Sequence, residues 1–263
     1  MVSALSIVFM VFTLLICFAL PLGLVYYFYR KEGISLVAVL VGALVFVVSQ
    51  MLLRIPLLQY LSGMPWYQQL AGNLLLIALL LSVTAGLFEE VGRFLGFKYL
   101  LRRHLSWKNG IAFGIGHGGI EAIILVGLTY INNIVYSLMI NRGTFDQMIA
   151  PQLGPQMADY IKDQLINTSP DMFAAAGLER AFTIVIHIAL SLVVLLAVTK
   201  GKPIFLLYAI LLHTLINFPA VIIPGLGYSI WFAEIYVMLL ALAGYIFIIR
   251  SKNSFPDTDK PDQ

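Results

Sequence analysis

Long stretches of this chain carry no charged residue, and several reach the roughly 18 or more residues that a helix needs to cross a hydrocarbon core about 30 Å thick. A chain of that kind has few folds open to it. Composition agrees: 60% of the 263 residues are hydrophobic and 11% charged, whereas a soluble domain carries about 25% charged residues. Sixteen Lys and Arg with thirteen Asp and Glu cannot furnish a water-facing surface for this length. The reading is an all-α, polytopic membrane helix bundle. A net charge of +3 is too small to imply nucleic acid as a partner, and membrane lipid is the expected surround. The single cysteine, Cys17, lies in the first apolar run, so no intrachain disulfide exists and cysteine usage does not report the redox compartment.

Seven apolar segments can be drawn, at about residues 3–28, 34–53, 70–97, 110–140, 178–199, 203–223 and 228–250. The first has no basic leader and stops at Arg30-Lys31 rather than at small residues, so it is expected to be retained as a span. Eleven Lys and Arg fall on one side, in the first, third and fifth connections and the tail; Arg54, Arg142 and Lys162 fall on the other. Basic residues near span ends stay cytoplasmic, which puts the N-terminus outside and the C-terminus inside. Residues 1–250 are expected to form one transmembrane domain. An exterior connection at 141–177 carries a short helix near Gln156–Ile166, and Ser169-Pro170-Asp171 opens the fifth span. The tail, 251–263, is polar and expected to be disordered in the cytoplasm.

Ionisable side chains in hydrocarbon cost about 2.5–3.5 kcal/mol each on insertion scales, and those that persist usually face the bundle interior. This chain keeps Glu89, Glu90 and Arg93 in the third segment, His117 and Glu121 in the fourth, Glu179, Arg180 and His187 in or at the edge of the fifth, and His213 with Asn217 in the sixth. Spacing decides which of them face each other. Arg93 is three and four residues beyond the two glutamates, and His117–Glu121 and His213–Asn217 are each four apart, so each set shares a helix face. At 1.5 Å per residue, Glu90, His117, Glu121, His187 and His213 lie about 10–16 Å in from their span ends. Four helices thus bring polar groups to one level. A lone membrane histidine is more often an interhelical hydrogen-bonding group, but three at one depth with a glutamate one turn away reverse that weighting. His104, beside Arg102-Arg103, reads as surface, and Glu234 reads as structural.

Three neutral imidazoles and a carboxylate suit Zn²⁺ or another divalent metal. His117, His187 and His213 are the expected imidazole ligands, and Glu121 is a fourth ligand or an orienting group. Such a metal lowers the pKa of bound water and polarises a carbonyl. Glu89 or Glu90 is then the general base, Arg93 their ionic neighbour, and Asn217 a donor to a developing oxyanion. The reaction class is amide hydrolysis within the bilayer, on a membrane-embedded peptide or protein. A metal-free version, with glutamate and histidine activating water directly, uses the same residues.

The strings Glu89-Glu90-Val91-Gly92-Arg93, Phe113 through Glu121, Glu179-Arg180 with His187, and His213 through Asn217 resemble the YhfC family of bacterial intramembrane metalloproteases over about residues 35–250. That family is related to CAAX prenyl proteases, bacteriocin-processing enzymes and PrsW-like proteases. The relatives' paired-glutamate, Phe-x-x-x-His and His-x-x-x-Asn/Asp motifs match Glu89, Glu90 and Arg93; Phe113 and His117; and His213 and Asn217. The CAAX-protease motif has one more residue before its arginine, so Arg93 is rotated by about 100° from that pattern. Neither that arginine's role nor prenyl-cysteine substrates carry over.

Two other classes compete with a protease. Mid-membrane Glu, His and Arg also build proton relays, but a proton-coupled transporter is expected to show inverted repeats, and none is visible. The wider superfamily includes a scaffold subunit, so a non-catalytic scaffold, or a haem protein with axial histidines, is the other alternative. Substrate flux in proteoliposomes, lost on mutation of the cluster, would mark the transporter.

Overall fold

The computed structural model describes residues 1–255. Eleven α-helices are described: α1 (Ala4–Glu32), α2 (Leu36–Ser62), α3 (Pro65–Ala71), α4 (Leu74–Leu100), α5 (Trp107–Asn141), α6 (Phe145–Met148), α7 (Ala150–Leu153), α8 (Pro155–Asn167), α9 (Pro170–Thr199), α10 (Ile204–Gly225) and α11 (Ile230–Ser251). Seven of them, α1, α2, α4, α5, α9, α10 and α11, are long and apolar enough to cross a membrane. No strand is present among the described residues. The exteriors of these helices carry large apolar side chains, among them Leu40, Leu52, Leu87, Leu211 and Ile249, while Glu89, Glu90, Arg93 and His117 are buried. Burial is inverted relative to a water-soluble domain, as expected where lipid is the solvent.

Local chemistry accounts for the helix limits. The Asn73 side chain accepts from the backbone N–H of Leu76 and caps α4. Ser229 does the same for Trp231 in α11. Pro170 occupies the first position of α9, where its missing N–H costs nothing. Gly201, with φ +63°, lets the chain reverse between α9 and α10 in a conformation other residues avoid.

The second span differs from its expected limits. Instead of ending near residue 53 it continues to Ser62, passing through a π-helical stretch at Val47–Arg54. The one charge in that stretch is Arg54, whose hydrogen bonds are made within the protein, so the helix need not stop. Two further π-helical stretches follow, at Gly96–Leu100 in α4 and Ala122–Gly127 in α5. The 141–177 region is mostly helical, and its longest piece, α8, lies where a short helix was expected. At the C-terminus, α11 runs into a short 3₁₀ turn at Lys252–Ser254; the remainder of the expected disordered tail, from residue 256, lies outside the described residues.

The chain packs as two compact units. The first, residues 1–20 and 122–181, has a core of Val2, Met10, Tyr130, Leu165 and Phe173, and Tyr130 donates through its hydroxyl to the Phe173 carbonyl. The second, residues 21–121 and 182 onward, holds the Glu89–His213 cluster. Its helices approach through glycine. A Cβ on Gly116 would stand 1.9 Å from the Val39 carbonyl oxygen, one on Gly42 2.1 Å from that of Phe113, and one on Gly114 2.4 Å from Ile188 Cα. These contacts press α5 against α2 on one side and α9 on another, which is how small residues let membrane helices pack closely. The glycines around His117 set how near its ring comes to the neighbouring helices.

Gly116→Ala should therefore destabilise the protein by at least about 1–3 kcal/mol, read as a lower melting temperature in detergent. Gly23→Ala, with nothing within 4 Å of the added methyl, should melt like the parent.

Candidate active site

Arg93 organises the site. It is fully buried on α4, and its Nη2 donates to Glu89 Oε2 at 3.2 Å and to His187 Nδ1 at 2.7 Å. Nη1 donates to the His187 carbonyl and to Ser191 Oγ, each at 2.9 Å, and Nε faces Glu90 Oε2 at 3.3 Å. The three- and four-residue spacing read from the sequence is thus realised, and the same guanidinium ties α4 to α9. With both terminal nitrogens hydrogen-bonded and Nε in ionic contact with Glu90, the charge is held inside the protein.

Each imidazole has a distinct environment. His117 Nε2 lies 2.9 Å from Glu89 Oε2, its ring stands between Phe46 and Phe113, and its Nδ1 has no hydrogen-bond partner among the described residues. His213 Nδ1 pairs with Glu90 Oε1 at 2.6 Å, while its Nε2 points toward Glu89 Oε1, 3.8 Å away. His187 is constrained by its neighbour: a guanidinium only donates, so Nδ1 accepts and the proton of the neutral ring sits on Nε2, facing Glu121 Oε2 at 2.7 Å. The rings form a row, with centroids 5.2 Å apart for His117–His187 and 5.9 Å for His187–His213.

Two groups of side chains offer ligand atoms within 4.8 Å of one another: Glu89, His117, Glu121 and His187, and Glu89, Glu90 and His213. Glu89 belongs to both. Mixed carboxylate and imidazole donors suit Zn²⁺ and similar divalent ions, and one His117 nitrogen, Nδ1, is not committed to a hydrogen bond among the described residues. The residues present therefore fit a divalent cation.

The remaining sequence candidates fall differently. Asn217, one turn beyond His213 on α10, is half-buried, and its amide makes no hydrogen bond among the described residues. Glu179 and Arg180 pair with each other in the first unit, and Glu234 is buried on α11. Three polar residues were missed. Gln50 donates from Nε2 to Glu89 Oε1, Arg54 donates to Gln50 Oε1, and Ser191 receives Arg93. An uncharged glutamine inside an apolar run was the available signal for the first.

Seven membrane-length helices and a buried carboxylate–imidazole cluster compatible with a metal ion define a multi-pass membrane protein with a polar centre enclosed by apolar helices. The chain belongs to the family described as YhfC intramembrane metalloprotease, whose model matches residues 16–237. A similar protein, "Uncharacterized membrane protein YhfC" of Bacillus subtilis (strain 168), is 39% identical over 257 residues, which cover 97% of this chain and 100% of the relative. No solved structure matches the chain.

Removing Arg93 would leave two buried carboxylates without their cation. Arg93→Met should cost about 3–5 kcal/mol, measurable as loss of the folded fraction in a denaturant titration of the detergent-solubilised protein.

Proposed function

We propose that this protein is an intramembrane protease, cleaving a peptide bond of a membrane-embedded peptide or protein with water activated in the Glu89–His213 cluster. The observation that carries the reading is the meeting of acidic and imidazole side chains from α4, α5, α9 and α10 in one buried place, where each ionisable group would otherwise be a cost. The family's description as a metalloprotease agrees with it.

The hydrogen bonds suggest a division of labour. Glu89, His117 and Glu121 are the donors we assign to a divalent ion, Glu89 because it is common to both groups. When bound, such an ion supplies Lewis acidity toward a carbonyl and a more acidic water. His213 is the general base: Glu90 Oε1 holds the proton on Nδ1, leaving the Nε2 lone pair free to take one from water. His187, whose Nε2 lies 2.7 Å from Glu121 Oε2, sets that carboxylate's place by contact, and Arg93 fixes the ring that does so. The unengaged Asn217 amide donates to the oxyanion of the attacked carbonyl. His187 and His213, which residue type alone put among the ligands, thereby become orienting and proton-accepting groups.

The test is a quenched-fluorescent pool of single-span peptides reconstituted with the protein, alongside metal analysis. Wild type should cleave and bind one divalent ion per chain. Glu90→Gln and His213→Ala should insert normally and lose cleavage by at least about 100-fold, while retaining metal; Glu89→Gln and His117→Ala should lose the metal. Cleavage by Glu90→Gln at the wild-type rate would refute the hydrolytic role, and metal retained by His117→Ala would refute the ligand assignment.

A further inference from the structure

We infer that Gln50, held by Arg54, is a positioning residue that sets the orientation of the Glu89 carboxylate. The inference rests on the reading of Glu89 as a metal ligand. It starts from the π-helical stretch Val47–Arg54, which turns Gln50 into the bundle, where it is buried among the residues of the cluster. π-helical turns inside α-helices recur at functional sites because the extra residue redirects one side chain without ending the helix.

The donor and acceptor chemistry leaves one arrangement. Arg54 donates from Nη1 to Gln50 Oε1 at 3.0 Å, and its other nitrogens are occupied, Nε by Thr84 Oγ1 at 3.1 Å and Nη2 by the Leu81 carbonyl at 2.7 Å. A guanidinium cannot accept, so the amide oxygen of Gln50 must face it and the NH₂ must face away. That NH₂ meets Glu89 Oε1. Reversing the amide would set N–H against N–H at Arg54 and oxygen against carboxylate at Glu89. Arg93 and His117 meet the other oxygen, Oε2. The carboxylate is thus held from both ends, with Oε1 kept 3.8 Å from His213 Nε2. A relay running from α4 through Arg54 and Gln50 back to Glu89 stands behind the site, and none of the sequence motifs includes it.

Outer partners that orient a ligand typically change metal affinity by about 10–100-fold when removed. The experiment measures Zn²⁺ affinity of the full-length, detergent-purified protein by competition with a chromophoric chelator, together with melting temperature. Gln50→Met keeps the volume and removes the donor; it should weaken Zn²⁺ binding about 10–100-fold. Arg54→Met, which frees the amide to turn, should weaken it too, and Arg54→Lys, which retains a donor, should restore binding to within about threefold of wild type. Ser49→Ala, next to Gln50 and hydrogen-bonded among the described residues only to the Phe46 carbonyl, controls for packing changes in this stretch and should bind as wild type. Wild-type affinity in Gln50→Met, or an equal loss in Ser49→Ala, would overturn the inference while leaving the protease reading intact. A wild-type protein that binds no Zn²⁺ would overturn the assignment of Glu89 as a zinc ligand and with it the inference, whereas the protease reading stands or falls on the cleavage assay.

Discussion

A guanidinium enclosed by apolar helices has to find every acceptor within the protein, and the structure depends on how Arg93 does so. Its terminal nitrogens reach Glu89, the His187 ring and carbonyl, and Ser191, and Nε faces Glu90. One side chain therefore fixes the spacing of α4 and α9, the rotamers of two carboxylates and the tautomer of an imidazole. Water would otherwise screen such charges; with lipid outside, the alternative to this network is an unpaired ion in low dielectric. The cost of exposing any member holds the set together, so polar satisfaction here specifies geometry more than it adds stability.

Backbone proximity makes those reaches possible. His117 sits against Glu89 of α4 at 2.9 Å, and the absence of a side chain at Gly114 and Gly116 lets α9 and α2 close on the same stretch of α5. Lipid tails are as apolar as leucine, so association of these helices draws on close packing and interhelical hydrogen bonds instead of expulsion of apolar surface from water. Glycine and the buried ions are two parts of one solution: the first brings the backbones near enough for the second to connect, and the second specifies the register in which the first can pack.

Much of this was legible in the residues. Uncharged runs marked seven helices, and charged groups within those runs marked the site, since an ion in a membrane span has few reasons to be there. The i, i+3 and i, i+4 spacings placed Arg93 against both glutamates before any helix was observed. What stayed hidden depended on direction. Arg54 looked like a loop cation because an apolar window ends at the first charge, yet the helix carries on to Ser62 and the side chain turns inward to Thr84, Leu81 and Gln50. Gln50 carries no charge, and a 3.6-residue period does not describe a π-helical stretch, so its face could not be counted from spacing. The different hydrogen bonding of His187 and His213 was equally out of reach, because residue type does not say which ring nitrogen meets a donor.

On the proposed reading the buried polar centre must also admit water and a peptide, and here the described cavities are instructive. One of about 820 Å³ runs along α2 and α4 beside Val45, Ser49, Phe88, Val91 and Gly92, and another of about 550 Å³ lies among α9, α10 and α11. Neither is lined by Glu89, Glu90, His117, His187 or His213. The cluster is closed, with these five side chains nearly inaccessible. Hydrolysis in such a place requires helices to part, and the physics sets which contacts can give way. Separating α4 from α9 would strip Arg93 of its His187 and Ser191 acceptors, and separating α2 from α5 would undo the glycine contact at Val39. The α10 side is held to the carboxylates by His213 and to α4 by a close approach at Gly86, where a Cβ would stand 2.8 Å from the Ile210 carbonyl oxygen; the same helix carries Pro219 and Pro224 beyond Asn217. Proline removes a backbone hydrogen bond and loosens the turn before it. On the proposed hydrolytic reading, any opening that leaves the Arg93 network in place also keeps both glutamates aligned for the incoming water.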